Sequence, residues 1–139
     1  MLSSSDKSIP NALFLLRLGL GLFLLLWSLD KIIEPGSAVK VFEHFYLSSI
    51  SETLAVAVGI AELLLSLAIL AGVAKTVTYG LGLLLHAVST LSTYEQLLHP
   101  FGKNHLFIAA IPVLFAFAAL FLARERDTLF SFGGRTGRK

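Results

Sequence analysis

Residues 11–33 read NALFLLRLGLGLFLLLWSLDKII, an apolar run of 23 residues interrupted by Arg17 and closed by Asp30 and Lys31. A bilayer's hydrocarbon core takes about 20 residues of helix at about 1.5 Å each, so the run is long enough to cross. It is too long for the apolar part of a signal peptide, it contains Arg17, and Trp27-Ser28-Leu29-Asp30 offers no small-residue cleavage site. The reading is a retained membrane span.

Three further runs, at about 54–74, 77–98 and 106–123, have the same character. Helix is the only lipid-exposed arrangement of one chain segment that satisfies its own backbone there. The expected fold is therefore an all-α integral membrane protein, an antiparallel four-helix transmembrane bundle forming one domain over residues 1–139. Composition points the same way: 55% of the residues are hydrophobic and only 14% charged. A soluble domain carries about 25% charged residues, so this chain lacks the polar groups to cover its own surface. The net charge of +2 does not indicate nucleic acid. Five of the eleven Lys and Arg residues (Arg124, Arg126, Arg135, Arg138, Lys139) lie within the last sixteen residues, which reads as a topological anchor. The absence of cysteine removes thiolate chemistry, disulfide exchange and iron–sulfur ligation by this chain.

The connections differ. Lys75-Thr76 is short enough to force the second and third spans into a tight hairpin, and residues 99–105, with Pro100 and Gly102, read as a turn. Between Glu34 and Thr53, Val39, Phe42, Phe45 and Tyr46 recur at helical spacing among Lys40, Glu43 and His44, which predicts a short amphipathic helix on the membrane surface between helices one and two. The tail, 124–139, is Gly-rich and basic and is expected to fray. One face receives Lys7, Lys75 and the five C-terminal basic residues; the other receives Lys31, Lys40 and Lys103. The positive-inside rule then puts both termini in the cytoplasm, with the protein in the inner (cytoplasmic) membrane.

Within the spans the polar residues fall on stripes. Tyr79, Gly82, His86, Ser89, Thr93 and Gln96 share one face of the third span, and Ala55, Gly59, Glu62 and Ser66 one face of the second. Such stripes commonly serve packing alone, since small residues let helices approach and hydroxyls bond between them. Charges at depth cost at least about 2.5–3.5 kcal/mol and pair or serve a function. From the predicted spans, Arg17 lies about 9 Å, Glu62 about 18 Å and His86 about 14 Å from the cytoplasmic face. These overlapping depths predict one polar cluster of Arg17, Glu62 and His86, with Tyr79, Ser89, Thr93 and Ser66 lining a pocket beside it. The alternative is that Arg17 snorkels to the headgroups and Glu62 is protonated. A second polar group gathers on the outer rim: Asp30, Lys31, Glu34, Glu95, His99, Asn104 and His105. Its histidines match no ligand spacing, and no metal is expected.

Three stretches carry a resemblance to the DoxX-like family of small four-helix membrane proteins. Leu16-Arg17-Leu18-Gly19-Leu20-Gly21 followed by Lys31 resembles the family's first helix, Ala61-Glu62-Leu63 through Leu70-Ala71-Gly72 its second, and Asn104-His105-Leu106-Phe107 the entrance to its last. Relatives include the membrane subunit of a thiosulfate:quinone oxidoreductase, so the resemblance implies a redox or respiratory setting, with Arg17 and Glu62 as the family's charged pair. A quinone suits an apolar slot with hydrogen-bond donors, and an intramembrane Glu or His can relay protons. The chain carries no haem-ligand pattern, cysteine or flavin fold, so electrons would come from a partner. Two roles therefore stand: an accessory or quinone-linked membrane subunit of a redox system, and a non-catalytic structural or assembly subunit docking on a larger membrane complex. Whether the chain is an enzyme stays open. Both roles imply the lipid bilayer and other membrane subunits, or further copies of the chain, as partners, with no nucleic acid. A transporter is disfavoured because one bundle shows no inverted repeat.

Overall fold

Residues 11–33 belong to a longer helix, α1, Ser4–Ile33, which continues upstream through Pro10. The computed structural model describes residues 4–133 of the chain. α2, Pro35–Phe45, is the expected amphipathic helix: Val39, Phe42 and Phe45 are half-buried and Ala38 fully so, while Lys40, Glu43 and His44 are exposed. Pro35 at its start fits a first turn whose N–H has no helical acceptor.

α3, Glu52–Ala71, is capped at both ends by its own sequence. The Ser51 hydroxyl accepts the Leu54 N–H at 3.1 Å. At the other end Gly72 takes the left-handed conformation (φ 65°), and the Val73 N–H reaches the Ala68 carbonyl at 3.0 Å. The hairpin therefore turns at residues 72–74, and Lys75-Thr76, expected as the connection, opens α4, Lys75–Ser92.

The third span was expected to run to residue 98, but α4 stops at Ser92 and a separate turn of helix, α5, covers Tyr94–Leu98. The hydroxyls of Thr90, Ser92 and Thr93 each donate to a carbonyl three or four residues back, at 2.7–2.9 Å, and compete with the helical ladder there. The fourth run also begins differently. A 3₁₀ helix spans Gly102–Ala109, over the end of the expected turn (99–105) and the start of the expected span (106–123), and regular α6 follows over Ala110–Leu122. Pro112 explains the join: it has no N–H for the Ile108 carbonyl, so an α-ladder cannot run back through that point.

α1 packs along α3 and α4 along α6, with further contacts between α3 and α4 and between α1 and α6. Leu13, Leu20 and Leu24, Ile69, Tyr79, and Phe117 with Leu120 form the buried core from all four. α1 and α3 approach closely at two glycines. A Cβ on Gly21 would lie 2.5 Å from Leu70 Cδ2, and one on Gly59 would lie 3.0 Å from the Ser28 carbonyl oxygen.

Among the described residues, three helices are long and apolar enough to cross a membrane: Lys7–Ile33, Glu52–Ala71 and Gly102–Leu122, with mean hydropathies of 2.1, 2.5 and 2.4. α4 is more polar, but its polarity is turned inward. Thr78, Tyr79, His86 and Thr90 are buried, while Val77, Leu81, Leu84, Leu85, Val88 and Leu91 are exposed. Beyond α6 the chain does not fray as far as it is described. After a single 3₁₀ turn, Arg124–Arg126, it crosses the end of the helices, where the Phe132 and Gly133 N–H groups reach the Ala71 and Gly72 carbonyls at 3.0 Å. The remainder of the tail, with Arg135, Arg138 and Lys139, lies outside the described residues.

Candidate functional site

Arg17 sits in the middle of α1, facing the core, and is fully buried. Its Nη1 donates to both carboxylate oxygens of Asp127 at 2.9 Å. Its Nη2 donates to the carbonyls of Leu129 (2.8 Å) and Phe130 (2.9 Å). The Tyr79 hydroxyl, from α4, donates to Asp127 Oδ2 at 2.5 Å, and the Lys75 ammonium donates to the main-chain carbonyl of Asp127. Arg17, Tyr79 and Asp127 are each wholly buried. Among the described residues, Arg17 Nε is the buried side-chain polar atom left without a partner.

The local sequence delivers Asp127 to this place. Ala123 ends α6, and the Arg124 guanidinium lies over the Phe121 ring and donates to the Phe121 carbonyl at 2.8 Å and the Thr76 hydroxyl at 3.1 Å. That anchor fixes where the chain leaves α6. The following turn brings Asp127 beneath α1, and the Phe130 ring meets Phe14 at 5.2 Å between centroids. Glycine is required where the strap crosses α3: a Cβ on Gly72 would lie 2.7 Å from Ser131 Cβ and 2.8 Å from Arg17 Nη1. One cation, Arg17, thus faces the Asp127 carboxylate in an enclosed setting, where charge interactions are strong, while Lys75 holds the same residue's main-chain carbonyl.

The single cluster of Arg17, Glu62 and His86 is not formed. Arg17 lies level with Gly72, ten residues from Glu62 and so about 15 Å along α3. The depths were misjudged because Arg17 stands level with the end of α3 rather than inside it, and because its partner lies beyond the last span. Nor does Arg17 snorkel to the headgroups, since its guanidinium is consumed by internal partners. Glu62 pairs instead with Lys31 at 2.8 Å, both side chains slightly exposed, and Lys31 also lies over the Trp27 ring. His86 is separate again: Nε2 is 3.1 Å from the Ala110 carbonyl oxygen, and the ring stacks on Phe117 and meets Phe23 edge-on.

The expected pocket lining is also dispersed. The hydroxyls of Ser66 and Thr93 are buried but donate to carbonyls of their own helical turns, those of Leu63 (2.8 Å) and Thr90 (2.9 Å). Ser89 is exposed; Thr90, one residue on, is the buried member of that stripe. Tyr79 alone of the four joins the Arg17 site.

On the rim, Lys31 is drawn inward by Glu62, Asp30 is half-buried, and Glu34 precedes α2. Glu95 accepts the Tyr94 hydroxyl at 3.2 Å, Asn104 donates to the His99 carbonyl at 3.0 Å, and His105 Nδ1 lies 2.5 Å from the Gly102 carbonyl oxygen. Glu95, His99 and Asn104 line an open cleft of about 400 Å³ with His44, Lys103 and Phe107. Among the described residues, no group of three or more His, Asp or Glu side chains is placed to hold a metal ion.

Asp127 is the residue that sequence reasoning missed. Its signal was Leu129, Phe130 and Phe132, apolar residues that a purely solvated tail has no reason to carry.

A family model described as DoxX matches residues 12–95, more than half of the chain. The chain belongs to the DoxX family. Members of that family are small membrane proteins, which agrees with the three apolar helices. In this DoxX-family protein the match covers Arg17, Glu62, Tyr79 and His86 and ends before Asn104 and Asp127. No curated protein and no solved structure matches the chain.

Proposed function

We propose that this DoxX-family protein is a non-catalytic accessory subunit of a membrane complex, of the redox kind that the family resemblance implies. One observation carries the reading: among the described residues, the buried side-chain polar groups, Arg17 Nε apart, are engaged within the protein. Arg17, Tyr79 and Asp127 close on themselves, the hydroxyls of Ser66, Thr90 and Thr93 bond within their own helices, and His86 is engaged by a carbonyl between two rings. A catalytic centre keeps donors or acceptors aimed at a place a substrate can occupy; these are aimed at the protein.

In this reading the protein is a four-span bundle. α4 supports the fourth span, because its inward polar and outward apolar faces suit a helix surrounded by lipid. Lys7, Lys75, Arg124 and Arg126 belong to the end closed by Asp127, which faces the cytoplasm in the inner membrane with both termini. Lys31, Lys40 and Lys103 belong to the opposite end, where α2 lies along the membrane surface. Reporter fusions at Lys139 and within 99–105 will give opposite compartments; the same compartment for both would remove the fourth span.

A quinone-linked role is the second reading, favoured by the aromatic surround of His86. Purification in a gentle detergent, with proteins and quinones identified by mass spectrometry, separates the two. The accessory role expects a stoichiometric membrane partner and no quinone retained through His86. A lone chain or homo-oligomer holding one quinone per copy, lost in His86→Leu, would replace it with the quinone role.

A further inference from the structure

The strap over residues 124–133 is held in an unusual way. Its apolar side chains contribute little: Phe130 and Phe132 are 73% and 83% exposed. Phe130 also takes a left-handed backbone conformation (φ 48°), which a bulky residue adopts only under constraint. What fixes the strap is polar. Its carboxylate goes to Arg17 and Tyr79, two of its carbonyls to Arg17, a third carbonyl to Lys75, and its last N–H groups to the carbonyls at the end of α3. The side chains that hold it, Arg17, Tyr79 and Lys75, stand on α1 and α4. Arg17 is the cation on that carboxylate, and its Nε still lacks a partner. The arrangement is that of a receptor and a ligand joined by a short tether.

We propose that Arg17 and Tyr79 form a carboxylate-binding site that Asp127 occupies in cis, with Lys75 holding the strap's main chain beside it, making residues 124–133 a latch that opens when the site takes a carboxylate from elsewhere. The tether explains why the latch is closed at rest. A ligand attached by a short segment acts at an effective concentration in the millimolar range or above, so a free carboxylate competes only when abundant or presented locally. A guanidinium nitrogen that reaches both oxygens of one group, with a phenol on one of them, suits a carboxylate better than a halide. The site is independent of the accessory role proposed above.

The test uses the full chain in detergent micelles, with sodium acetate as the probe and sodium chloride at equal ionic strength as the control. Asp127→Gly empties the site. The variant is expected to melt at a lower temperature than the parent and to be cut faster by trypsin at Arg124 and Arg126. Acetate should raise its melting temperature saturably and chloride should not, while tryptic cleavage stays fast because acetate fills the site without the strap. Adding Tyr79→Phe should weaken the acetate response. If Asp127→Gly does not fold, Asp127→Asn keeps the side-chain volume and loses the charge, and its strap should be cleaved about tenfold faster or more, following the open population. Acetate acting no better than chloride on folded Asp127→Gly would overturn the proposal. So would an Asp127→Asn strap protected as well as that of the parent.

Discussion

At one end of the molecule Arg17 and Asp127 meet at 2.9 Å with side chains 1% and 0% exposed; towards the other, Lys31 and Glu62 meet at 2.8 Å with 15% and 16% exposed. The distances are nearly the same, but the surroundings are not. Asp127 shares its oxygens with Tyr79, and Arg17 donates beyond it to two carbonyls, so each partner's remaining hydrogen-bonding capacity is largely met by protein. Lys31 sits two residues from the end of α1 and has, besides Glu62, a long 3.3 Å bond to the Trp27 carbonyl. A buried pair is costly to assemble and very costly to break, whereas a pair near an interface can exchange its partner for water. Separation alone therefore does not rank these ion pairs; what each charge has left when its partner goes does.

The largest effect follows directly. Asp127→Ala strands a buried guanidinium and should destabilise the protein by about 3–5 kcal/mol, read by thermal or denaturant unfolding in micelles. The double-mutant cycle with Arg17→Ala should return a coupling of up to about 3 kcal/mol, because the two side chains touch. The same cycle between Arg17→Ala and Glu62→Ala should be additive within about 0.5 kcal/mol, since the sites are about 15 Å apart. Coupling in the second cycle but not the first would restore the single cluster that the spans suggested and erase the contrast between the ends.

Gly72→Ala comes next, at about 1–3 kcal/mol. The residue is left-handed, and an added methyl would meet both Ser131 and Arg17, so the substitution strains the turn and pushes on the strap together. Faster tryptic cleavage at Arg126 should accompany the loss of stability. A loss of stability with the strap still protected would assign Gly72 to the hairpin alone.

How much of this was legible depends on where each partner lies in the sequence. The helices under the apolar runs, the amphipathic α2 and most of the inward stripe of α4 follow from local periodicity, although Ser89 of that stripe faces outward. The helix limits moved where single residues intervened: Pro112 at the join with the 3₁₀ segment, and the hydroxyls of Thr90, Ser92 and Thr93 at the end of α4. The pairing of Arg17 was out of reach for a different reason. Depth along a span constrains partners within spans, and Asp127 is separated from Arg17 by 110 residues, in a segment whose charge reads as solvated. Lys31 was assigned to the rim and Glu62 to the interior, yet a lysine's flexible stem spans the turn between them.

Lys31→Gln should cost about 1 kcal/mol, well below the buried pair, because Glu62 is already partly open and can be solvated or protonated when released. The readout is the same unfolding assay. A loss as large as that of Asp127→Ala would mean that the Lys31–Glu62 pair is enclosed in the assembled protein, by lipid or by a partner subunit that covers its open edge.

The smallest effects belong to the rim histidines. His99 and His105 are exposed; the His99 carbonyl that accepts from Asn104 is retained by an alanine, and the His105 ring gives up one exposed contact with the Gly102 carbonyl, which water can replace. His99→Ala and His105→Ala should each stay within about 0.5 kcal/mol of the parent. Adding zinc should leave the melting temperature unchanged, because exposed side chains must first give up ordering entropy before three ligands can converge on one ion. A zinc-dependent rise in melting temperature that disappears in His99→Ala or His105→Ala would show that the rim rearranges into a site. In that case the two ends would differ in kind rather than degree, one closed by its own chain and the other waiting for an ion.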